Sequence, residues 1–237
     1  NDYRDRAGPA GQSKTAEWAQ GFMLNYSSGF TNGPLGFGLD AMGLLGVTLD
    51  SGQGRHRGSS MIPSAGDHTA DEWSRLGLTA KMRLSQTELR YGTLMPKLPI
   101  LQANDGRLLP QTFEGAQISS TEIDNLSLTA GRLEHATGRG STDSTGLAVA
   151  GGIRQSNAFV FAGGDFKVNN DLTLQYYVAN LEDYYTQQFY GLQHVLGLGE
   201  GQSLKTDLRY FDTGSSGANG RAAGRSAGYR TSGYSDD

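Results

Sequence analysis

Leu76-Gly77-Leu78-Thr79-Ala80-Lys81-Met82-Arg83-Leu84 is the stretch that decides the fold class. Its even positions are apolar: Leu76, Leu78, Ala80, Met82 and Leu84. Its odd positions are small or polar: Gly77, Thr79, Lys81 and Arg83. Successive residues of a strand point to opposite faces of a sheet, so this spacing predicts a strand with one apolar and one charged face. Ser85-Gln86 makes a short turn. Thr87 to Thr93 then alternates again, with Leu89 and Tyr91 against Glu88, Arg90 and Gly92. The two runs predict an antiparallel hairpin.

The same period recurs on both sides of this hairpin. Phe22, Leu24 and Tyr26 oppose Gly21, Met23 and Asn25. Leu35, Phe37, Leu39 and Ala41 oppose Gly36, Gly38, Asp40 and Met42. Downstream, Leu126, Leu128 and Ala130 oppose Ser127, Thr129 and Gly131, and Phe159 and Phe161 sit in a glycine-rich strand near 156–167. After the turn Asn169-Asn170-Asp171, Leu172, Leu174, Tyr176 and Val178 oppose Thr173, Gln175 and Tyr177. Leu204, Thr206, Leu208 and Tyr210 oppose Lys205, Asp207, Arg209 and Phe211. About ten strands are predicted, and no segment of comparable quality has a 3.6-residue period.

Strands of a soluble sandwich also alternate, but three features favour a membrane barrel. The strands are long against a usual length of about 5–6 residues. The polar face carries full charges, which suit a wet lumen. Tight turns alternate with long polar loops at 51–72 and 213–237, the arrangement of outer-membrane barrels. Trp18, Tyr26, Trp73, Tyr91 and Tyr184, at strand ends, are candidates for interfacial girdles. The apolar run Leu35 to Leu49 is interrupted by glycines and Asp40, and no run approaches the roughly 20 apolar residues of a membrane helix.

Composition supports this reading. The chain of 237 residues carries 35 glycines, roughly twice the average usage of about 7%, and only 6 prolines. Glycine without proline suits tight turns and closely passing strands. A net charge of −4 does not imply a nucleic-acid surface. With no cysteine there are no disulfides, thiolate nucleophiles or zinc–thiolate sites. His56, His68, His135 and His194 are scattered without metal-ligand spacing, and no Gly-x-Ser-x-Gly elbow is present. Gly197-Leu198-Gly199-Glu200-Gly201 has no βαβ unit around it to make a nucleotide loop. No cofactor, metal or enzymatic activity is expected.

The runs Trp18-Ala19-Gln20-Gly21-Phe22, Ser28-Gly29-Phe30-Thr31, Gly36-Phe37-Gly38-Leu39-Asp40-Ala41, Lys81 to Gly92 and, most specifically, Asn104-Asp105-Gly106-Arg107-Leu108-Leu109-Pro110-Gln111-Thr112 resemble the OprD-type porins, the outer-membrane carboxylate channels. The resemblance covers essentially the whole chain. It implies an all-β fold: an antiparallel transmembrane barrel of 18 strands, monomeric and set among outer-membrane lipid and lipopolysaccharide. It also implies a narrow arginine-lined pore, and a third loop folded into the lumen to set its constriction. That loop is placed here at 96–120. The residues agree: Pro96-Lys97-Leu98-Pro99 ends a strand, and the next twenty or so residues lack clean alternation, a length that is unusual for a loop unless functional. Eighteen strands need about 400 residues, so a single partial barrel domain over 1–237, with about ten strands, is expected. Its start at Asn1-Asp2-Tyr3-Arg4 reads as mature or trimmed, and its end from Gly214 on as the middle of an extracellular loop.

A carboxylate is matched by the planar fork of an arginine. Arg107, on the loop beside Asp105, matches by resemblance a family position in the narrowest part, and with Asp105 offers both signs to a zwitterion. The alternative is a salt bridge internal to the loop. Lys81, Arg83 and Arg90 share one face of the hairpin as a ladder for anions, tempered by Glu88 and Asp40; Lys205 and Arg209 flank Asp207 on another strand. These charges are also readable as lumen groups that balance one another. Arg4, Lys14, Arg132 and Arg154 fall off the clear alternation. Tyr177 and Tyr185 face either the lumen or an interface. The tyrosines that the family often carries in its fourth loop are missing from 137–146. The functions implied are passage of small carboxylates or amino acids, with a general porin or an adhesion barrel as alternatives.

Overall fold

The computed structural model describes residues 2–4, 14–51, 62–65 and 68–231. Ten long strands follow one another in a single antiparallel sheet: β1 (Trp18–Ser27), β2 (Leu35–Asp50), β3 (Glu72–Leu84), β4 (Thr87–Leu94), β5 (Thr112–Ile123), β6 (Leu126–Thr137), β7 (Phe159–Lys167), β8 (Leu172–Leu181), β9 (Tyr185–Gly199) and β10 (Gln202–Ser215). Each pairs with its neighbours in chain order, and the sheet ends at β1 and β10 without closing on itself. Ser144–Gly146 adds to it by pairing with β6, and three short ladders form separate two-stranded sheets: Asp2–Arg4 with Lys14–Ala16, Ser64–Ala65 with His68–Thr69, and Lys97–Leu98 with Leu101–Gln102. The one helix among the described residues is a single turn, Ala222–Ser226.

Register assigns the faces. Leu39 lies opposite Ala80, Ala80 opposite Tyr91, and Tyr91 opposite Ala116. One residue along, Gly38, Lys81, Arg90 and Gln117 form the next row. The strand period of two therefore separates an apolar from a charged face, as the alternation predicts. The apolar face is exposed along its length. Phe22, Leu24, Phe37, Leu76, Leu78, Leu128, Tyr176, Leu208 and Tyr210 all keep a large part of their surface free. Exposed large side chains in rows of this extent form a surface that fits hydrocarbon. No helix among the described residues is long and apolar enough to cross a membrane.

The core lies on the other, inner face. Phe159, Phe161, Tyr177 and Phe189 of β7–β9 are buried there with Leu133 of β6. Ile100 and Ala103, from the loop after β4, pack into the same cluster. A second cluster joins Leu44 of β2, Trp73 of β3, Ile62 and Leu109. The indole of Trp73 lies over Gly46, its register partner, where any Cβ would strike the ring.

Three boundaries differ from the sequence expectation. The loop placed at 96–120 ends at Gln111, and 112–120 belong to β5, a wall strand paired with both β4 and β6. Its outward face offers only Ala116 and Ile118, too few for the alternation to show. The loop placed at 51–72 stops before Glu72; its residues 52–61 and 66–67 lie outside the described residues. The loop placed at 213–237 begins after Ser215, and residues 232–237 lie outside the described residues.

Two girdle aromatics are also reassigned. Trp18, Tyr26 and Tyr91 are exposed as expected, but Trp73 is buried on the inner face, because it is odd-numbered in a strand whose even residues face out. Tyr184 is fully buried in the turn between β8 and β9, where its hydroxyl donates to the Arg154 carbonyl and burial raises its pKa. That turn, Glu182-Asp183-Tyr184, is short although it lies on the long-loop edge, so turn lengths do not alternate throughout.

Leu78→Arg, on the outward face of β3, is expected to destabilise the closed barrel by about 2–4 kcal/mol if Leu78 lies near the bilayer midplane. Folding into lipid vesicles, followed by heat-dependent gel mobility in urea, checks this; an unchanged midpoint refutes the assignment of that face to lipid.

Candidate functional site

The inner face of β2–β4 gathers the charges. Asp40 of β2 sits opposite Thr79, one register step from Lys81, and Lys81 sits opposite Arg90. The Lys81 ammonium donates to Asp40 Oδ1 (2.6 Å), the Ser28 carbonyl (2.8 Å) and Ser27 Oγ (3.0 Å), and its side chain is 4% exposed. Asp40 also accepts from Ser27 Oγ at 2.6 Å and lies 3.7 Å from the Arg90 guanidinium. Arg90 binds Glu88 through Nε at 2.5 Å. A buried ammonium with three oxygen partners is fixed in place, because leaving any of those groups unpaired away from water is costly. Lys81 is therefore a strut within the inner wall, which revises its expected place as an exposed rung of a ladder.

Arg83 and Arg107 differ from Lys81. Arg83 is exposed one pair from the hairpin turn, with its guanidinium 4.2 Å from the centre of the Phe30 ring. Arg107 and Asp105 are both exposed on the loop between β4 and β5, and no ion pair joins them. The loop-internal bridge is thus absent, and among the described residues neither arginine has a carboxylate partner. On β10, Asp207 and Arg209 form a two-point ion pair within one strand (3.0 and 2.8 Å), in the same inward row as Lys205.

The loop itself folds onto the inner face. Its first half, Ile100 and Ala103, packs against the aromatic wall of β5–β9. Its tip packs on the opposite side: Leu109 is buried against Leu44 and Trp73, and Leu108 covers Gly21 of β1. A Cβ on Gly21 would lie 2.7 Å from the Leu108 carbonyl oxygen. The loop thus spans the concave side from one wall to the other. Two backbone hydrogen bonds, Ala103 N to Pro96 O and Gln111 N to Asn104 O, close it into a compact form.

Arg75 of β3 anchors the end of that loop. Its Nη2 donates to the Pro110 carbonyl at 2.7 Å, and Nη1 reaches the Thr137 and Gly138 carbonyls at 3.4 Å. Sequence reading missed Arg75. The signal was available: extending the alternation of Leu76–Leu84 back by one residue places Arg75 on the charged face.

The remaining candidates spread out. Arg132 pairs with Glu134 at 3.1 Å and shares the outward row of Val160 and Ala116. Arg154 donates from Nε to the Ala227 carbonyl in the long-loop region. Arg4 and Lys14 are register partners in a short ladder. Tyr177 faces inward but is buried, its hydroxyl donating to Asp165 at 3.2 Å. Tyr185 lines a cavity of about 470 Å³ together with Gln102, Gln111, Phe113 and Arg154.

An open ten-stranded antiparallel sheet with an apolar outer face and a loop folded across its inner face has close relatives. A family model described as outer membrane porin, OprD family, matches residues 1–232. The chain belongs to the OprD family of outer-membrane porins.

The OprD porins most similar in sequence include the porin-like protein GalP of Pseudomonas putida, 40% identical over 88% of this chain and 51% of that protein, and porin D of Pseudomonas aeruginosa, 35% identical over 92% and 49%. The chain therefore spans about half the length of the curated relatives it matches. Among solved structures, OccK8 (OprE) of P. aeruginosa is 52% identical with a TM-score of 0.84, over 92% of this chain and 54% of that one. P. aeruginosa OpdK, solved with vanillate, is 38% identical with a TM-score of 0.80, over 85% and 53%. The family places the protein in the outer membrane of Gram-negative bacteria, and its relatives are porins, which are channels and not enzymes.

Arg75→Met removes the hydrogen bond that this guanidinium makes to the Pro110 carbonyl at the loop end, along with its two longer bonds to the Thr137 and Gly138 carbonyls. Limited proteolysis of the folded barrel should then cut within 95–111 at least several-fold faster, the lost charge-assisted bond to the Pro110 carbonyl weakening the anchor by about 1.5–3 kcal/mol. Equal cleavage rates would show that the apolar seat of Leu108 and Leu109 holds the loop alone.

Proposed function

We propose that this sheet forms one wall of an outer-membrane channel for small carboxylate-bearing solutes, monocarboxylates or amino acids, in a closed barrel of the kind its relatives form. The carrying observation is the loop between β4 and β5, whose apolar tip is seated across the inner face while Asp105 and Arg107 stay exposed on it. A pore selects by replacing part of a solute's hydration with fixed donors and charges. A loop pinned at both ends gives such groups a fixed position, and an arginine without a carboxylate partner offers its two parallel donors to a solute carboxylate. Arg83 supplies a second such cation farther along the inner face. Vanillate, named with the OpdK structure, is itself a carboxylate, which supports the solute class.

The inner wall also limits the field. Lys81 is neutralised by Asp40, Arg90 is shared between Glu88 and Asp40, and Arg209 is closed on Asp207. Anion preference in this half of the barrel then rests on Arg107, Arg83 and Lys205, which have no ion pair among the described residues, more than on the count of basic residues.

In planar bilayers the closed barrel should show a small conductance that falls as a small carboxylate is added. Arg107→Ala should lower anion-over-cation permeability by at least about half, since the charge nearest the narrowed path is the one that permeability senses. Unchanged selectivity and block would remove Arg107 from this role, and a large, unblocked wild-type conductance would indicate a general porin.

A further inference from the structure

On the edge of the sheet with short turns, four connections hold two to four residues: 85–86, 124–125, 168–171 and 200–201. The fifth, Ser28 to Pro34, holds seven. Its extra length goes inward. Gly36 and Gly38 of β2 occupy the register positions facing Arg83 and Lys81, so side chains there would point into the lumen. That space is already filled. A Cβ on Gly38 would lie 2.7 Å from the Gly29 carbonyl oxygen and 2.9 Å from Ser28 Oγ, and one on Gly36 would lie 3.0 Å from Phe30 Cβ. The segment Ser28–Thr31 therefore lies on the inner face of the wall, which two glycines leave open for it.

The segment is fastened there. The buried Lys81 ammonium donates to the Ser28 carbonyl, Leu39 N donates to Ser28 Oγ at 2.8 Å, and Phe37 N donates to Thr31 Oγ1 at 3.0 Å. Thr31 N returns a bond to the Phe37 carbonyl at 2.9 Å. Held this way, the Phe30 ring lies 4.2 Å from the Arg83 guanidinium and 4.9 Å from the Lys81 ammonium. A ring face over two cations is attractive and holds the guanidinium in one orientation.

We propose that Ser28–Pro34 is a fixed sill that narrows the channel at its short-turn, periplasmic mouth, and that Phe30 is a specificity-determining residue there, setting both the width of the exit and the orientation in which Arg83 meets a leaving carboxylate. This rests on the channel reading above. It differs from the constriction loop in place, since the sill lies on β2 and β3 near the hairpin turn, whereas the loop tip sits over β1 and the far half of β3. It also explains why Lys81 is buried: its charge fixes the sill and is not offered to solute.

The test is single-channel recording on the closed barrel with Phe30→Ala, Phe30→Trp and Phe30→Cys. Phe30→Ala should raise conductance roughly 1.5–2-fold and weaken carboxylate block, because conductance follows the open section of a narrow pore; Phe30→Trp should lower conductance. This chain has no cysteine of its own. At Phe30→Cys, a bulky thiol reagent added on the periplasmic side should reduce current in one step, more for a larger reagent. A residue that only covers the wall would leave all three readouts at wild-type values in a folded barrel, and that result overturns the sill while the channel reading stands. A folded wild-type barrel that conducts nothing overturns both.

Discussion

A strand in hydrocarbon has to satisfy every backbone N–H and C=O through its neighbours, and that constraint governs the rest of this molecule. It requires each strand to be paired along its membrane-crossing length, which the continuous pairing of neighbours from β1 to β10 achieves. It assigns one face to lipid, so alternate strand residues face outward and many large apolar side chains are exposed there. It leaves the core with one place to form, the concave side, where Phe159, Phe161, Tyr177 and Phe189 pack against the inward loop. β1 and β10 are the two strands with an unpaired side, and a row of unpaired backbone groups cannot face lipid. The half-length match to the relatives and the open sheet are thus two views of one geometry.

The same constraint decides how the concave side is filled. An apolar loop in a wet lumen would be unstable unless it were seated, and Leu108 and Leu109 are seated on Gly21, Leu44 and Trp73. Cations do the fastening. Arg75 holds the carbonyl at the end of the loop, and Lys81 holds the carbonyl at the start of the Ser28–Pro34 segment. Both are inward basic residues of the same strand, six positions apart, each committed to a backbone oxygen of a segment folded inward. An inward charge in such a wall therefore has two uses, bracing and conduction, and sequence position alone does not separate them.

The strands were legible in the sequence because lipid imposes strict alternation: Leu76–Leu84, Leu35–Ala41 and Leu204–Tyr210 lie in strands with the faces their periods predict. The pattern weakens where the inner face is itself apolar. Phe113 points inward with the polar Thr112 and Glu114 beside it, so 112–120 read as loop and not as wall. Trp73 misled for the same reason, since an aromatic at a strand end is expected at the membrane interface and this one caps a loop. Among the charges, the face was legible and the partner was not. Nothing in the local sequence places Asp40 beside Lys81, 41 residues away, or leaves Arg83 under a phenyl ring. Arg75 was one step beyond the quoted alternation and escaped notice, although its parity put it on the charged face.

Partnering decides which cations a passing anion senses. An ammonium with a carboxylate at 2.6 Å presents a dipole to the lumen, and its field falls off much faster than that of a lone charge. Arg90 and Arg209 are similarly discounted by Glu88 and Asp207. Lys205 of β10, Arg107 and Arg83 are inward cations with no ion pair among the described residues; of these, Arg107 lies on the loop tip and Arg83 beneath the short-turn segment, near opposite ends of the inner face of β3. Between them the wall carries mutually compensated charge. On the proposed channel reading, two separated cations with a nearly neutral stretch between them would let a carboxylate be held, released and held again, without one deep well that would trap it. A pore conducts when its sites are few and each is weak enough to leave, and on the same reading the pairing of most basic residues on this inner face, rather than their removal, serves that condition.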